Sequence, residues 1–311
     1  MLGIVARRAV ALVPVLFGVS LLVFILTAVS LGDPVRAALG QRGEPELIAQ
    51  IRKDYALDEP VITQYTLWMG RLIRGDLGRS YHQQRPVTEI LAERFPATLR
   101  LALAATAIAI FLGVTAGILA ALHQRAVWDW LLMSLAVIGI STPVFWLGMM
   151  LILFFALLLG WFPVSGYGDG DWRYLVLPAL ALGALHTGII ARMTRASVLE
   201  AIGQEYVRTA RAKGLRERVV IIKHALRNAL LPVVTVVGIG LGDLLVGAPL
   251  TETVFAWPGL GRLLVAAVGQ RDLPVVMGAV LLFALVYVTA TLLTDLAYTV
   301  IDPRVRHDTR A

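Results

Sequence analysis

Ionisable side chains are scarce in the long apolar stretches of this sequence, and scarcity marks each one as a candidate for chemistry. His186 sits in Gly183-Ala184-Leu185-His186-Thr187-Gly188 and Asp243 in Gly238-Ile239-Gly240-Leu241-Gly242-Asp243, while Asp295 lies two turns before the last apolar stretch ends. A charged group in hydrocarbon is costly and faces a wet cavity or a partner. The small residues beside His186 and Asp243 let helices approach closely. These two are expected either to line a polar path or to hydrogen-bond between helices, and Asp295 to pair with an arginine. Covalent and metal chemistry is not expected. There is no cysteine, hence no thiolate ligand or nucleophile. The three lysines are followed by Asp54, Gly214 and His224, so the Gly-Lys-Ser/Thr that holds nucleotide phosphates and Mg2+ is missing. His82, His123, His186, His224 and His307 never fall three to five residues apart, which removes the helix-borne histidine pair of a metal site. Gly-x-Ser-x-Gly is absent as well. No catalytic residue, metal or cofactor is therefore expected in this chain.

The elements that carry these residues read as membrane helices. Of 311 residues, 58% are hydrophobic and 16% charged, with a mean hydropathy of +0.76, whereas soluble domains average about 25% charged. A soluble fold lacks the interior to hide so much apolar side chain, and disordered chains are poor in it. The net charge of +7 does not indicate nucleic acid, because the basic residues sit between apolar runs. A helix needs roughly 20 apolar residues to cross the hydrocarbon core. Six stretches qualify: 9–31, 99–122, 131–159, 175–196, 230–250 and 274–301. Arg7-Arg8 resemble the start of a cleaved signal, but the apolar run exceeds the roughly 7–15 residues of a signal core, so the first helix is expected to be retained.

Arginine and lysine in short loops set the orientation. With both termini inside, the inner segments hold fifteen of them: Arg7, Arg8, Arg125, nine from Arg192 to Arg227, and Arg304, Arg306 and Arg310. The short outer loops hold three, Arg173, Arg262 and Arg271. The first outer segment is long enough to cross whatever its charge. Its acidic and basic residues nearly balance, and Leu47, Ile48, Ile51 and Tyr55 recur at helical spacing. With Tyr65, Leu67, Trp68, Leu72 and Ile73, it is expected to pack rather than to trail as a tether. The expected domains are a first transmembrane helix at 1–31, a partly helical outer segment at 32–98, and a five-helix core at 99–311 with an inner loop at about 197–229. In that loop Ser197 to Lys213 reads as helix, Gly214 as the residue that ends it, and Glu217 as the start of a helix running into the fifth span.

Tyr206-Val207-Arg208-Thr209-Ala210-Arg211-Ala212-Lys213-Gly214-Leu215, followed by His224-Ala225-Leu226-Arg227-Asn228-Ala229-Leu230-Leu231-Pro232, resembles the coupling loop of permease subunits of binding-protein-dependent ABC importers. The resemblance is to the branch handling dipeptides, oligopeptides, glutathione or nickel. The general loop is Glu-Ala-Ala, three residues, Gly, then a later Leu-Pro. Here Arg208-Thr209-Ala210 replaces the triplet and Leu-Pro arrives several residues late, as in the peptide branch. The likeness extends to Gly32-Asp33-Pro34, Gly75-Asp76-Leu77-Gly78, Phe95-Pro96-Ala97-Thr98-Leu99, Phe145-Trp146-Leu147-Gly148, Trp257-Pro258-Gly259-Leu260-Gly261-Arg262, Arg271-Asp272-Leu273-Pro274 and Asp302-Pro303-Arg304. Leu31 departs from it, standing where the family often has proline.

The resemblance implies an all-α membrane protein of the type I ABC importer permease fold, with six transmembrane helices and a partly helical periplasmic segment after the first. It implies the bacterial cytoplasmic membrane, both termini cytoplasmic, and inward transport of dipeptides or oligopeptides by alternating access. Nickel, a nickel chelate or glutathione are other cargoes of the same machinery. A proton-coupled secondary transporter fits less well, because no inverted repeat is visible. The implied partners are a second homologous permease, two ATP-binding subunits carrying ATP and Mg2+, an extracytoplasmic substrate-binding protein and membrane lipid. Glu205, Tyr206, Arg208, Thr209, Ala210, Arg211, Lys213, Gly214 and Leu215 then become ATPase-coupling residues, and His186 and Asp243 residues of the substrate path. A path open to many peptides is expected to make only weak contacts, since strong binding midway would slow exit.

Overall fold

The computed structural model describes residues 14–26, 35 and 45–301, apart from the side chains of Leu47 and of 295–301. Gly32-Asp33-Pro34, the terminal arginines and the Asp295 side chain lie outside the described residues. The helices are α1 (Pro14–Leu26), α2 (Pro45–Asp54), α3 (Val61–Ile73), α4 (Val87–Leu122), α5 (Val127–Ser141), α6 (Val144–Leu151, widening into π-helical turns over Ile152–Leu158), α7 (Trp172–Ile202), α8 (Glu205–Ala212), α9 (Leu226–Val254, entered through helical turns from Glu217), α10 (Leu260–Gln270) and α11 (Leu273–Ile301). No strand forms among the described residues beyond one isolated bridge, Arg79 with Pro86.

Among the described residues four helices are long and apolar enough to cross a membrane: α4, α7, α9 with its entry turns, and α11. The stretch 131–159, expected as one helix, is instead broken between α5 and α6, whose axes turn by 114°. Pro143 clashes with a helical residue before it, and Thr142 accordingly takes an extended φ of −85° and ψ of 128°. Pro96, Pro178, Pro232 and Pro249 sit inside their helices without ending them, as proline can in spans whose neighbours satisfy the freed carbonyl.

The chain divides into two compact units, the part up to Thr98 with Pro258–Val288, and Leu99–Trp257 with the part from Thr289 onward. In the second, α7 is the centre, burying Leu177, Ala181, His186, Ile190, Thr194 and Val198 along its length. Against α4 it meets Ala105 at Gly183, Gly113 at Thr187 and Ile190, and Gly117 at Ala191 and Thr194. The numbers rise together, so α4 and α7 run parallel. At Gly117 a Cβ would stand 2.5 Å from the Ala191 carbonyl oxygen, a backbone atom that cannot yield, so only glycine allows this approach. Against α5 the order reverses, with Gly139 near Ala184 and Ala136 near Gly188, and Gly240 of α9 meets His186 while Val233 shares a cluster with Ile190. Thus α5 and α9 are antiparallel to α7. Ala121, Val198, Ala201, Val207, Ala210, Val220 and Ala229 form one cluster at the end where α4 and α7 finish, and the basic stretch Arg192 to Arg227 belongs to that end. Exposed Trp128 and Trp130 open α5, and exposed Trp161 and Trp172 lie between α6 and α7 or at the start of α7, the placement of indoles at membrane boundaries.

In the first unit α3 lays Tyr65 and Trp68 on Val23 and Phe24 of α1, with Met277 and Leu281 of α11 completing the cluster. The Ser20 hydroxyl lies 3.0 Å from the Tyr65 hydroxyl. Of the apolar positions expected to pack, Leu67 and Ile73 are exposed. Ile51 of α2 is buried with Val35 and Tyr81, Ile48 and Tyr55 packing beside them. Burial pushes the Tyr55 phenol above its ordinary range, and its oxygen accepts from the Arg79 N–H while donating to the Arg79 carbonyl. Asp272, 2% exposed, ties this segment to the α10–α11 junction, accepting from the Ser80 hydroxyl at 2.5 Å, the Tyr81 N–H at 3.1 Å and the His82 N–H at 3.3 Å.

Candidate coupling surface and translocation path

The inner loop is built around α8. The helix expected from Ser197 to Lys213 is interrupted at Gly203 and Gln204, which frees α8 as a separate eight-residue element. Glu205 occupies its first turn and Arg211 its last, each complementing the helix dipole. Val207 and Ala210, three apart and so on one face, are buried in the cluster that joins Ala121, Val198 and Val220. Ala210, expected among the coupling residues, is therefore turned inward, 4% exposed, and acts as an anchor. Glu205, Tyr206, Arg208, Thr209, Arg211, Lys213, Gly214 and Leu215 remain on the outer side. Two of the cations already have acids within the chain. Arg208 approaches Glu205 at 3.3 Å, and Arg211 holds Glu217 by two hydrogen bonds of 2.7 and 3.2 Å. Glu217, read in the sequence only as a helix start, was not expected as the partner of Arg211, although it stands only six residues past it. Lys213 has no ion-pair partner among the described residues, and Gly214 closes the helix at φ +73° with its N–H donating to the Arg211 carbonyl at 2.9 Å.

Above this end the α5 start is fixed to α7. Arg195 donates from Nε and a terminal nitrogen to the two Asp129 oxygens at 2.6 and 2.7 Å, and the Arg125 N–H donates to the same carboxylate at 3.0 Å. Nothing local in the sequence joins these residues, which are 66 apart.

His186 and Asp243 do come together. His186 Nε2 lies 4.0 Å from Asp243 Oδ2, with the imidazole 10% and the carboxylate 52% exposed. His186 Nδ1 is buried without a hydrogen-bond partner. Gly240 makes room for the ring, since a Cβ there would stand 2.5 Å from His186 Cδ2. Among the described residues no three His, Asp or Glu side chains gather as a metal site would need.

A bundle of antiparallel and parallel apolar helices, with an anchored charged helix on one face and isolated ionisable groups inside, defines a polytopic membrane permease. The chain belongs to the family of binding-protein-dependent transport system inner membrane components, which matches residues 113–307, its N-terminal counterpart matching residues 1–102. A dipeptide transport system permease protein of Escherichia coli K12 is 42% identical, covering 99% of each chain. A glutathione transport system permease protein of Escherichia coli O6:H1 is 43% identical over 99% of this chain and all of its own length. In structure, a chain of the inward-facing MetNI methionine ABC transporter superposes with a TM-score of 0.56 at 18% identity, covering 69% of this chain and 97% of its own. The fold is thus that of ABC importer permeases.

Proposed function

We propose that this chain is the membrane-spanning permease subunit of an ATP-driven importer of dipeptides or oligopeptides, moving cargo inward by alternating access. The observation that carries the reading is α8: a short charged helix between two spans, anchored by Val207 and Ala210 and closed by Gly214. A chain without a nucleotide loop must receive its work from outside, and a rigid anchored helix can transmit it. Its partners are a second homologous permease, two ATP-binding subunits that hold ATP and Mg2+, and an extracytoplasmic substrate-binding protein. Exposed Tyr206 and Leu215, flanked by Arg208, Arg211 and Lys213, form the face offered to an ATP-binding subunit. His186 and Asp243 line the substrate path. The peptide names of the relatives support the cargo, and the 43% identical glutathione permease supports glutathione as a second cargo.

The test is reconstitution of the four-subunit complex with its binding protein in liposomes. ATP-dependent uptake of a dipeptide is expected, whereas the purified chain alone should neither bind nor hydrolyse ATP. Uptake driven by a proton gradient without the ATP-binding subunits would overturn the reading, and uptake of glutathione but no dipeptide would reassign the cargo.

In this reading both termini are cytoplasmic and residues 32–98 face the periplasm. Ser80, an obvious site for a cysteine probe in a cysteine-free chain, is buried against Asp272. Exposed Gln83 is the better site. Gln83→Cys should react with an impermeant thiol reagent added outside intact spheroplasts, and reaction only in inverted vesicles would reverse the topology.

A further inference from the structure

Asp243, half-exposed, differs from Asp129, the acid buried at the start of α5. Asp129 has a bidentate arginine and a backbone N–H, whereas Asp243 has among the described residues only His186, at 4.0 Å, beyond hydrogen-bond reach. It also stands on the exposed side of α9, in a stripe with Ile239, Val246 and Leu250, one to two turns apart and so on one face. A half-exposed carboxylate on an otherwise apolar stripe is costly against lipid and calls for a wet cavity or a cationic partner. The imidazole nitrogen nearest the carboxylate is Nε2, and the buried nitrogen without a partner is the other one, Nδ1. The 4.0 Å gap from Nε2 to Oδ2 is the base of a triangle whose apex, about 2.9 Å from both, fits a single hydrogen-bonded nitrogen.

We propose that Asp243 and His186 form a subsite on the translocation path for the α-ammonium group of the cargo. The proposal rests on the peptide-importer reading. The carboxylate supplies the countercharge an ammonium needs once it leaves bulk water, and the imidazole accepts one of its protons through Nε2. The group recognised is shared by every unblocked peptide, and by glutathione, so the subsite passes any side chain and holds its cargo by one end. That is how a path of weak contacts can still favour amino-terminal cargo over neutral solutes.

The experiment uses the reconstituted complex. With wild type moving Ala-Ala, Asp243→Asn should lower the maximal uptake rate about tenfold while ATP hydrolysis stimulated by the binding protein persists, Asp243→Glu should restore most of it, and His186→Gln should fall between. A second arm omits the binding protein. Val246→Cys, one turn from Asp243, should be protected from a thiol reagent by millimolar Ala-Ala but not by N-acetyl-Ala-Ala, and Asp243→Asn should abolish the protection. Equal protection by the blocked peptide, no protection by either, or unchanged uptake by Asp243→Asn would each overturn the subsite. Equal failure of the Asn and Glu variants would do so too, by showing a packing role. Absence of Ala-Ala uptake in wild type would instead overturn the peptide reading itself.

Discussion

Valine at position 214 will cut uptake and substrate-stimulated ATP hydrolysis roughly tenfold while leaving the protein inserted, and asparagine there will be close to wild type. Gly214 holds a φ of +73°, where an L-residue with a Cβ loses about 1–2 kcal/mol and a β-branched one more. No atom lies within 4 Å of where that Cβ would stand, so the penalty is wholly one of backbone conformation. A chain under such strain opens the turn after Lys213 and lets α8 drift from its anchors. One to two kcal/mol corresponds to a factor of about 5–30 in the population of the correct geometry. Asparagine tolerates the left-handed region, which separates a conformational requirement from a need for the smallest residue. The readings are peptide uptake and ATPase stimulation in proteoliposomes, with membrane yield as the control. Normal coupling in Gly214→Val would show that α8 does not transmit work through a fixed helix end.

Removing Arg195 should strongly destabilise the larger unit. Asp129 is buried, and its carboxylate is satisfied by the Arg195 fork and by the Arg125 N–H. Breaking such a pair by deleting one partner costs about 3–5 kcal/mol, because the remaining charge is left buried and uncompensated. Arg195→Ala should therefore lower the melting temperature of the detergent-purified protein by on the order of ten degrees. Arg195→Lys keeps the charge but loses the planar fork, and should recover only part of the difference. Asp129→Ala combined with Arg195→Ala should be milder than the sum of the single changes, since no orphan charge survives. A melting temperature within a degree of wild type in Arg195→Ala would mean that the pair contributes nothing.

What the sequence made legible follows from range. Apolar length and the positions of Arg and Lys depend on neighbours within a turn or two, and they located every long span that the structure shows, together with the loop that became α8 and the glycine that closes it. The break at Thr142-Pro143 was hidden by hydropathy, which does not register backbone clash. Ala210, carried over among the coupling residues, is buried as an anchor, because a motif records identity and not the face a residue takes. Contacts made across distant segments were invisible: Asp129 with Arg195, and Asp272 with Ser80, separated by 192 positions. His186 and Asp243 were each noticed for their rarity, but nothing in either segment said that they would meet.

The common direction of α4 and α7 has a consequence for the bent pair between them. A chain that exits at one face and later crosses again in the same sense must first have returned to the opposite face, so the intervening stretch makes an odd number of passages. Between Leu122 and Trp172 the chain offers only α5 and α6 for this. With α4 and α7 both crossing, α5 and α6 together make one net passage, despite the 114° corner between them. A corner inside an apolar stretch frees backbone groups from the helix, and in hydrocarbon such groups have no water to turn to. Thr142 answers part of that need itself, its N–H and Oγ1 both donating to the Ile138 carbonyl at 2.9 and 2.7 Å.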